Sequence, residues 1–347
     1  MKKSILFIFL FYLHWNLHAQ SVSARLDSLL SSYANENSFN GSVLIARHGK
    51  ILLDKGYGYR NADGHAPNDP ETIFQIASVT KPFTAVVVLK LCELKKIGLS
   101  DPLSKFYPQF PDSDHITIFH LLTHTSGITD KPDSTAKIPI LPPGASREQY
   151  FVEQASAKRL AFPPGSKREY SNSGYILLGY IIEKVTGATY FDMVNQYIFK
   201  PLDMRRSCFD LTQSALKDKA TGYAVYTAAE KKEAPAIDPY GLFAAGAICS
   251  TVEDLYKWHQ GLQSYKIIGK ASLDKAYSPF INKYGMGWNV DSLREFRVVS
   301  HSGGVTGFNS YISRIPEDDT CIILLNNKPG GRELFDIAKK AYAILLK

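Results

Sequence analysis

Ser78-Val79-Thr80-Lys81, followed at once by Pro82-Phe83-Thr84-Ala85-Val86-Val87-Val88-Leu89, is the stretch on which the reading of this chain turns. The apolar run predicts a helix continuing to about Lys96, with Pro82 in its first turn, where a missing N–H costs nothing. Residues i and i+3 then share one helix face, about 5–6 Å apart at Cβ. A serine hydroxyl is a poor nucleophile at neutral pH and needs a base beside it. A lysine one turn along can be that base if its site strips away water and lowers its pKa. The plainer alternative is a serine N-cap followed by a solvated lysine. The preceding Thr72-Ile73-Phe74-Gln75-Ile76-Ala77 is apolar and short, like a buried strand or turn feeding the helix. A serine at a buried helix N-terminus also has backbone N–H groups nearby, suited to developing negative charge.

Upstream of this stretch, Ala24–Ala34 has helical spacing, and Gly41–Ala46 and Lys50–Tyr59 read as a hairpin around Arg47-His48-Gly49. A further turn is expected at Asn61–Gly64. Downstream, Ile116–Thr123 suggests a short helix, and the prolines of Lys131–Gly144 an extended surface loop. Gly174–Thr186 and Tyr190–Phe199 look helical, the second ended by Pro201. Thr251 caps a helix running to Leu262. Gly285–Val290, Glu295–His301, Gly307–Ile315 and Thr320–Asn326 then read as strands, and Arg332–Leu346 as a closing helix. Strands cluster at both ends of the chain, with helices and loops between. The expected fold is α/β in the α+β sense: one antiparallel sheet built from N- and C-terminal parts, flanked by the terminal helices. A mostly helical lobe over residues 95–210 is inserted into it. The cleft is expected where the two lobes meet.

The chain has 347 residues, 45% hydrophobic and 21% charged, which suits a globular protein. Lys2 and Lys3, the apolar Ile5–Leu13 and the Leu17-His18-Ala19 site read as a secretory signal over residues 1–19, leaving 20–347 as one domain. The apolar core is too short to span a bilayer comfortably. No stable membrane anchor is expected after cleavage, and the destination is periplasmic or secreted. Losing Lys2 and Lys3 takes the formal charge from +7 to +5. With no long basic run, nucleic acid is not an expected partner. Cys92, Cys208, Cys249 and Cys321 are widely spaced; export would permit disulfides, but the sequence assigns no pair, and free, buried thiols are the favoured expectation.

Two further constellations carry chemistry. Tyr170-Ser171-Asn172 offers a phenol that can relay protons and an amide that donates and accepts. Alternatively it is a polar turn with Asn172 or Ser173 as a helix cap. His301-Ser302-Gly303-Gly304 falls at the end of an expected strand, where glycine allows close approach of backbone to ligand. His120 and His124 stand at i and i+4, but Leu121 occupies the place of a zinc protease's glutamate, and no third ligand is evident. No metal or cofactor is expected.

Taken together, Ser78-x-x-Lys81, Tyr170-x-Asn172 and His301-Ser302-Gly303, in that order, resemble the serine β-lactamase-like superfamily. The branch most similar holds the class C β-lactamases, serine D-Ala-D-Ala carboxypeptidases and related esterases. Phe74–Ser78, His120–Gly127, Ser250–Leu255 and Gly307–Ser310 also look like family segments. The resemblance implies that Ser78 attacks a carbonyl and forms an acyl-enzyme, with Lys81 and Tyr170 sharing the base work. It implies that Asn172 contacts Lys81 and the substrate amide, and that the N–H groups of Ser78 and Gly304 form an oxyanion hole. Ser302 would bind a substrate polar group. His301 stands where the K-T-G pattern has lysine, so a fixed cation there is not assured. The expected substrate is a small molecule or peptide of cell-wall type. β-Lactamase action proper and a catalytically weak penicillin-binding sensor remain as alternatives.

Overall fold

Six strands from the two ends of the chain interleave in one antiparallel sheet. In a computed structural model that describes residues 22–130, 146–212 and 215–347, these are β1 (Gly41–Arg47), β2 (Lys50–Tyr57), β3 (Asn289–Leu293), β4 (Phe296–Val305), β5 (Phe308–Ile315) and β6 (Thr320–Asn326). Their order is β2-β1-β6-β5-β4-β3. β1 and β6 pair from Gly41 with Asn326 to Arg47 with Thr320, so the chain ends meet at the sheet centre. Both central strands are apolar on both faces. Leu44, Ala46, Cys321, Ile323 and Leu325 enter one core, while Val43, Ile45, Ile322 and Leu324 enter the other. This is the period of two expected of a sheet covered on both sides. The β1–β2 hairpin closes through His48 (φ 50°) and Gly49 (φ 70°). Two left-handed residues twist a two-residue turn to match the strands.

Helix α1 (residues 22–35) and the C-terminal α5 (Arg332–Leu345) supply the core on one face. On the other lie α2 (Thr80–Glu93), α3 (Asn172–Thr186) and α4 (Val252–Gln263). Every residue of α2 from Thr80 to Leu89 is buried, as a helix enclosed on all sides must be. It packs on α4 through Phe83 stacked on Trp258 at 4.2 Å and on a helical lobe that includes Ile118–Leu122, Arg147–Ser156 and α3.

Several boundaries move from their sequence expectations. Residues 285–288 form a turn, with the strand beginning at Asn289; Gly287 has φ +82°, and its missing Cβ leaves room for Ala85 and the Lys81 carbonyl of α2. β4 continues past His301 to Val305, because its pairing with β5 continues as far. The helix from Tyr190 runs through a π turn at Asn195–Phe199 and on through Pro201 to Leu202; the π turn absorbs the proline. Cys92, Cys249 and Cys321 are free thiols; Cys92 and Cys208 are half-buried rather than buried. The expected signal segment and the Lys131–Gly144 loop lie outside the described residues.

Candidate active site

Ser78 sits in a 3-10 turn, Ala77–Val79, directly before α2. It is not the cap of that helix: Val79 takes the cap position, with no side-chain bond. Ala77 has φ +47°, a conformation a side-chain-bearing residue adopts at a cost, and one that recurs where a functional group must be presented. The turn is held by Ile76, whose N–H donates to Ile248 and whose carbonyl accepts from Ser310.

One helical turn on, Lys81 is fully buried. Its Nζ lies 3.1 Å from Ser78 Oγ, 2.8 Å from Asn172 Oδ1 and 2.8 Å from the Ala245 carbonyl. It also faces the rings of Tyr170 and Tyr175. Burial lowers its pKa to about 7, against the opposing pull of the Asp130 carboxylate. The Ala245 carbonyl reaches Nζ because the 239–246 helix is broken at Phe243 (φ 40°, ψ −131°). Thr80 and Thr84 of α2 fix the same segment, through the Ile248 N–H and the Ala244 carbonyl.

Tyr170 and Asn172 enter from the start of α3. The cap is Ser171, accepting from the Gly174 N–H, so Asn172 is free to reach Lys81. Asp130 reinforces the same end: its carboxylate accepts from the N–H groups of Asn172 and Ser173 at 2.8 Å each, and from Ser171 Oγ at 3.3 Å. A carboxylate at a helix N-terminus meets free donors and the positive end of the dipole. Tyr170 keeps part of its ring open to the cleft, while its hydroxyl hydrogen-bonds Ser78; burial raises its pKa above the ordinary phenol value. His124 (φ 59°) steadies this segment by accepting the Ser171 N–H on Nδ1. His120 Nδ1 accepts the Thr117 N–H in a capping box, so the two histidines serve separate backbone contacts.

The third wall is the β4 edge. Strand alternation turns His301 and Gly303 toward the Ser78 side. A Cβ on Gly303 would stand 2.2 Å from the Ile76 carbonyl oxygen and 3.0 Å from Ser78 N, whereas one on Gly304 would meet only the Asn309 amide at 3.3 Å. Gly303 therefore lets the strand touch the nucleophile turn. His301 is buried. Its Nδ1 must donate to the Ser302 carbonyl at 2.7 Å, leaving Nε2 to accept from Tyr284 at 3.2 Å. Burial and then the nearby Lys81 lower its pKa to about 3, so it is neutral. Ser302, on the opposite face, borders a cavity of about 580 Å³ shared with Tyr311 and Phe335.

Ser78, Lys81, Tyr170, Asn172, His301 and Gly303 thus converge. Ala245, Asp130 and Tyr284 join them without any signal in the sequence: one contributes only its carbonyl, and the others stand in segments with no motif of their own.

A profile of the family described as Beta-lactamase matches residues 26–347. The putative penicillin-binding protein PbpX of Bacillus subtilis (strain 168) is 32% identical over 318 residues, spanning 91% of this chain and 78% of that one. The octameric penicillin-binding protein homologue from Pyrococcus abyssi is similar in structure at a TM-score of 0.80 and 31% identity, over 93% of this chain and 76% of its own. A D-stereospecific amidohydrolase from Streptomyces sp. gives a TM-score of 0.69 at 25% identity, over 83% of this chain and 88% of its own.

Proposed function

The chain belongs to the Beta-lactamase family, and from that premise we propose that it is an exported serine hydrolase acting through an acyl-enzyme on Ser78. The observation that carries the reading is a fully buried lysine, its pKa near 7, placed 3.1 Å from a serine hydroxyl. Neutral Lys81 has two N–H groups. Asn172 Oδ1 and the Ala245 carbonyl accept them, which leaves the nitrogen lone pair for the Ser78 proton. Tyr170 titrates above the usual phenol range, so at neutral pH it is a hydroxyl rather than a phenolate. That favours Lys81 as the immediate base and Tyr170 as the relay that passes the proton to the leaving group. As the Ser78–carbonyl bond forms, charge moves to the carbonyl oxygen, and the N–H groups of Ser78 and Gly304 are the donors assigned to it. One such donor is worth about 2.7–4 kcal/mol of barrier. Collapse expels the amine or alcohol, and water entering by the reverse path releases the acid.

The substrate class proposed is a small peptide, amide or ester of D-alanyl type, with the acyl carbonyl at Ser78. The similar D-stereospecific amidohydrolase supports amide chemistry. A neutral His301 offers a substrate carboxylate no cation from the strand and leaves peptidase, amidase and esterase action open. A full set of turnover groups argues against a mere sensor. Fluorophosphonate labelling followed by intact mass tests the assignment: one adduct is expected, absent from Ser78→Ala, and a label that persists in that variant overturns it. Exposure to D-alanyl peptides, β-lactams and aryl esters then identifies the acyl group by its mass. Export through residues 1–19 is tested by sequencing the N-terminus of the mature protein.

A further inference from the structure

The cleft as described lacks a standing positive charge on its β4 wall. His301 and His124 are buried and neutral. The three polar contacts of Lys81 are taken up within the site. Arg168 is the exception. It stands two residues before Tyr170, in the same non-helical approach to α3, and an extended chain projects alternate side chains to one side. Its guanidinium carbon lies 4.4 Å from the centre of the Tyr284 ring, the same tyrosine whose hydroxyl holds His301. Its charge is felt by His124, Tyr170, Tyr175, Tyr284 and His301 alike. Yet among the described residues it makes no ion pair, and its buried Nε has no hydrogen-bond partner.

An arginine fixed by stacking on an aromatic face, with its planar fork unused, is matched to a carboxylate. We propose that Arg168, seated on Tyr284 beside the Ser78 cleft, anchors a carboxylate of the substrate and supplies from the α3 side the cation that position 301 does not. The inference rests on the hydrolase reading for its choice of ligand. It directs the search toward acyl peptides with a free C-terminal carboxylate.

The probes are N-acetyl-D-alanyl-D-alanine and its C-terminal carboxamide, titrated by NMR into the full chain carrying Ser78→Ala, which removes turnover. The acid should bind roughly 10- to 100-fold tighter than the amide, the range for a hydrogen bond to a charged group. Adding Arg168→Ala should erase that preference, and Arg168→Lys should restore part of it. If the stack on Tyr284 merely holds the fold, Arg168→Ala weakens both probes equally and lowers the melting temperature, and the proposal fails. It also fails if acid and amide bind alike to the Ser78→Ala protein, if neither binds, or if the preference survives Arg168→Ala. Absence of Ser78 labelling in the native protein would instead remove the hydrolase reading, and the acid-to-amide ratio would still judge Arg168.

Discussion

The rate of Ser78 acylation should rise with pH through an inflection near 7 set by Lys81. Moving that lysine from its ordinary value of 10.5 to about 7 costs the ammonium form about 5 kcal/mol relative to the amine. At pH 7 about half of the molecules then carry a free amine, against about one in three thousand for an unperturbed lysine. The sign is fixed by the chemistry: protonated Lys81 has no lone pair, so lowering the pH removes the base. A fluorophosphonate has no group titrating in this range. Its second-order labelling rate, measured from pH 5 to 10, should climb about tenfold per pH unit below the inflection and level off above it. Asn172→Asp supplies the sharper perturbation. It sets a carboxylate where an amide oxygen now stands 2.8 Å from Nζ, and an opposite charge so close raises a lysine pKa by about 1–3 units. Labelling at pH 6 should fall by about 10- to 1,000-fold and recover as pH rises past 9. A flat profile in the native protein, an inflection above 9, or an Asn172→Asp inflection that stays near 7 would refute Lys81 as the base.

Gly303→Ala should abolish labelling and destabilise the protein, because its Cβ would strike the Ile76 carbonyl beside Ser78, whereas Gly304→Ala should fold normally; circular dichroism and labelling of the pair check this. Asp130→Ala should cost about 1–2 kcal/mol, as loss of a helix cap does, read by urea denaturation. It should also move the labelling inflection below 7, since Asp130 holds the Lys81 pKa up. Between pH 7 and 10 the unfolded chain binds a proton at Lys81 that the folded protein does not, so this lysine's burden on stability is full below pH 7 and eases as pH rises. The melting temperature of the native protein should therefore gain on that of Lys81→Met across this range, by up to about 1.4 kcal/mol of stability per pH unit; a gap independent of pH would contradict the depressed pKa.

Much of the architecture is legible in local pattern. The short, continuous apolar runs in Gly41–Ala46 and Thr320–Asn326 mark buried strands, and Thr251 marks a helix start, because apolar runs and capping act over a few neighbouring residues. What fails locally fails for tertiary reasons. Gly285–Val290 has strand-like composition, but packing against α2 demands a left-handed glycine at 287. His301-Ser302-Gly303-Gly304 looks like a strand end, yet β5 carries the ladder on to Val305. Asn172 or Ser173 each looks like a cap, but Lys81 claims Asn172 and leaves the role to Ser171.

The chain by itself determined which chemical groups are present, their order, and the spacing that sets Ser78 and Lys81 on one helical face. Only the folded structure decided their state. Whether Lys81 is a base, whether His301 is charged, and whether Tyr170 ionises depend on how much water is excluded and which carbonyls and carboxylates stand within a few ångströms. Those neighbours, such as the Ala245 carbonyl, Asp130 and Tyr284, are remote in sequence, and no local pattern encodes their approach.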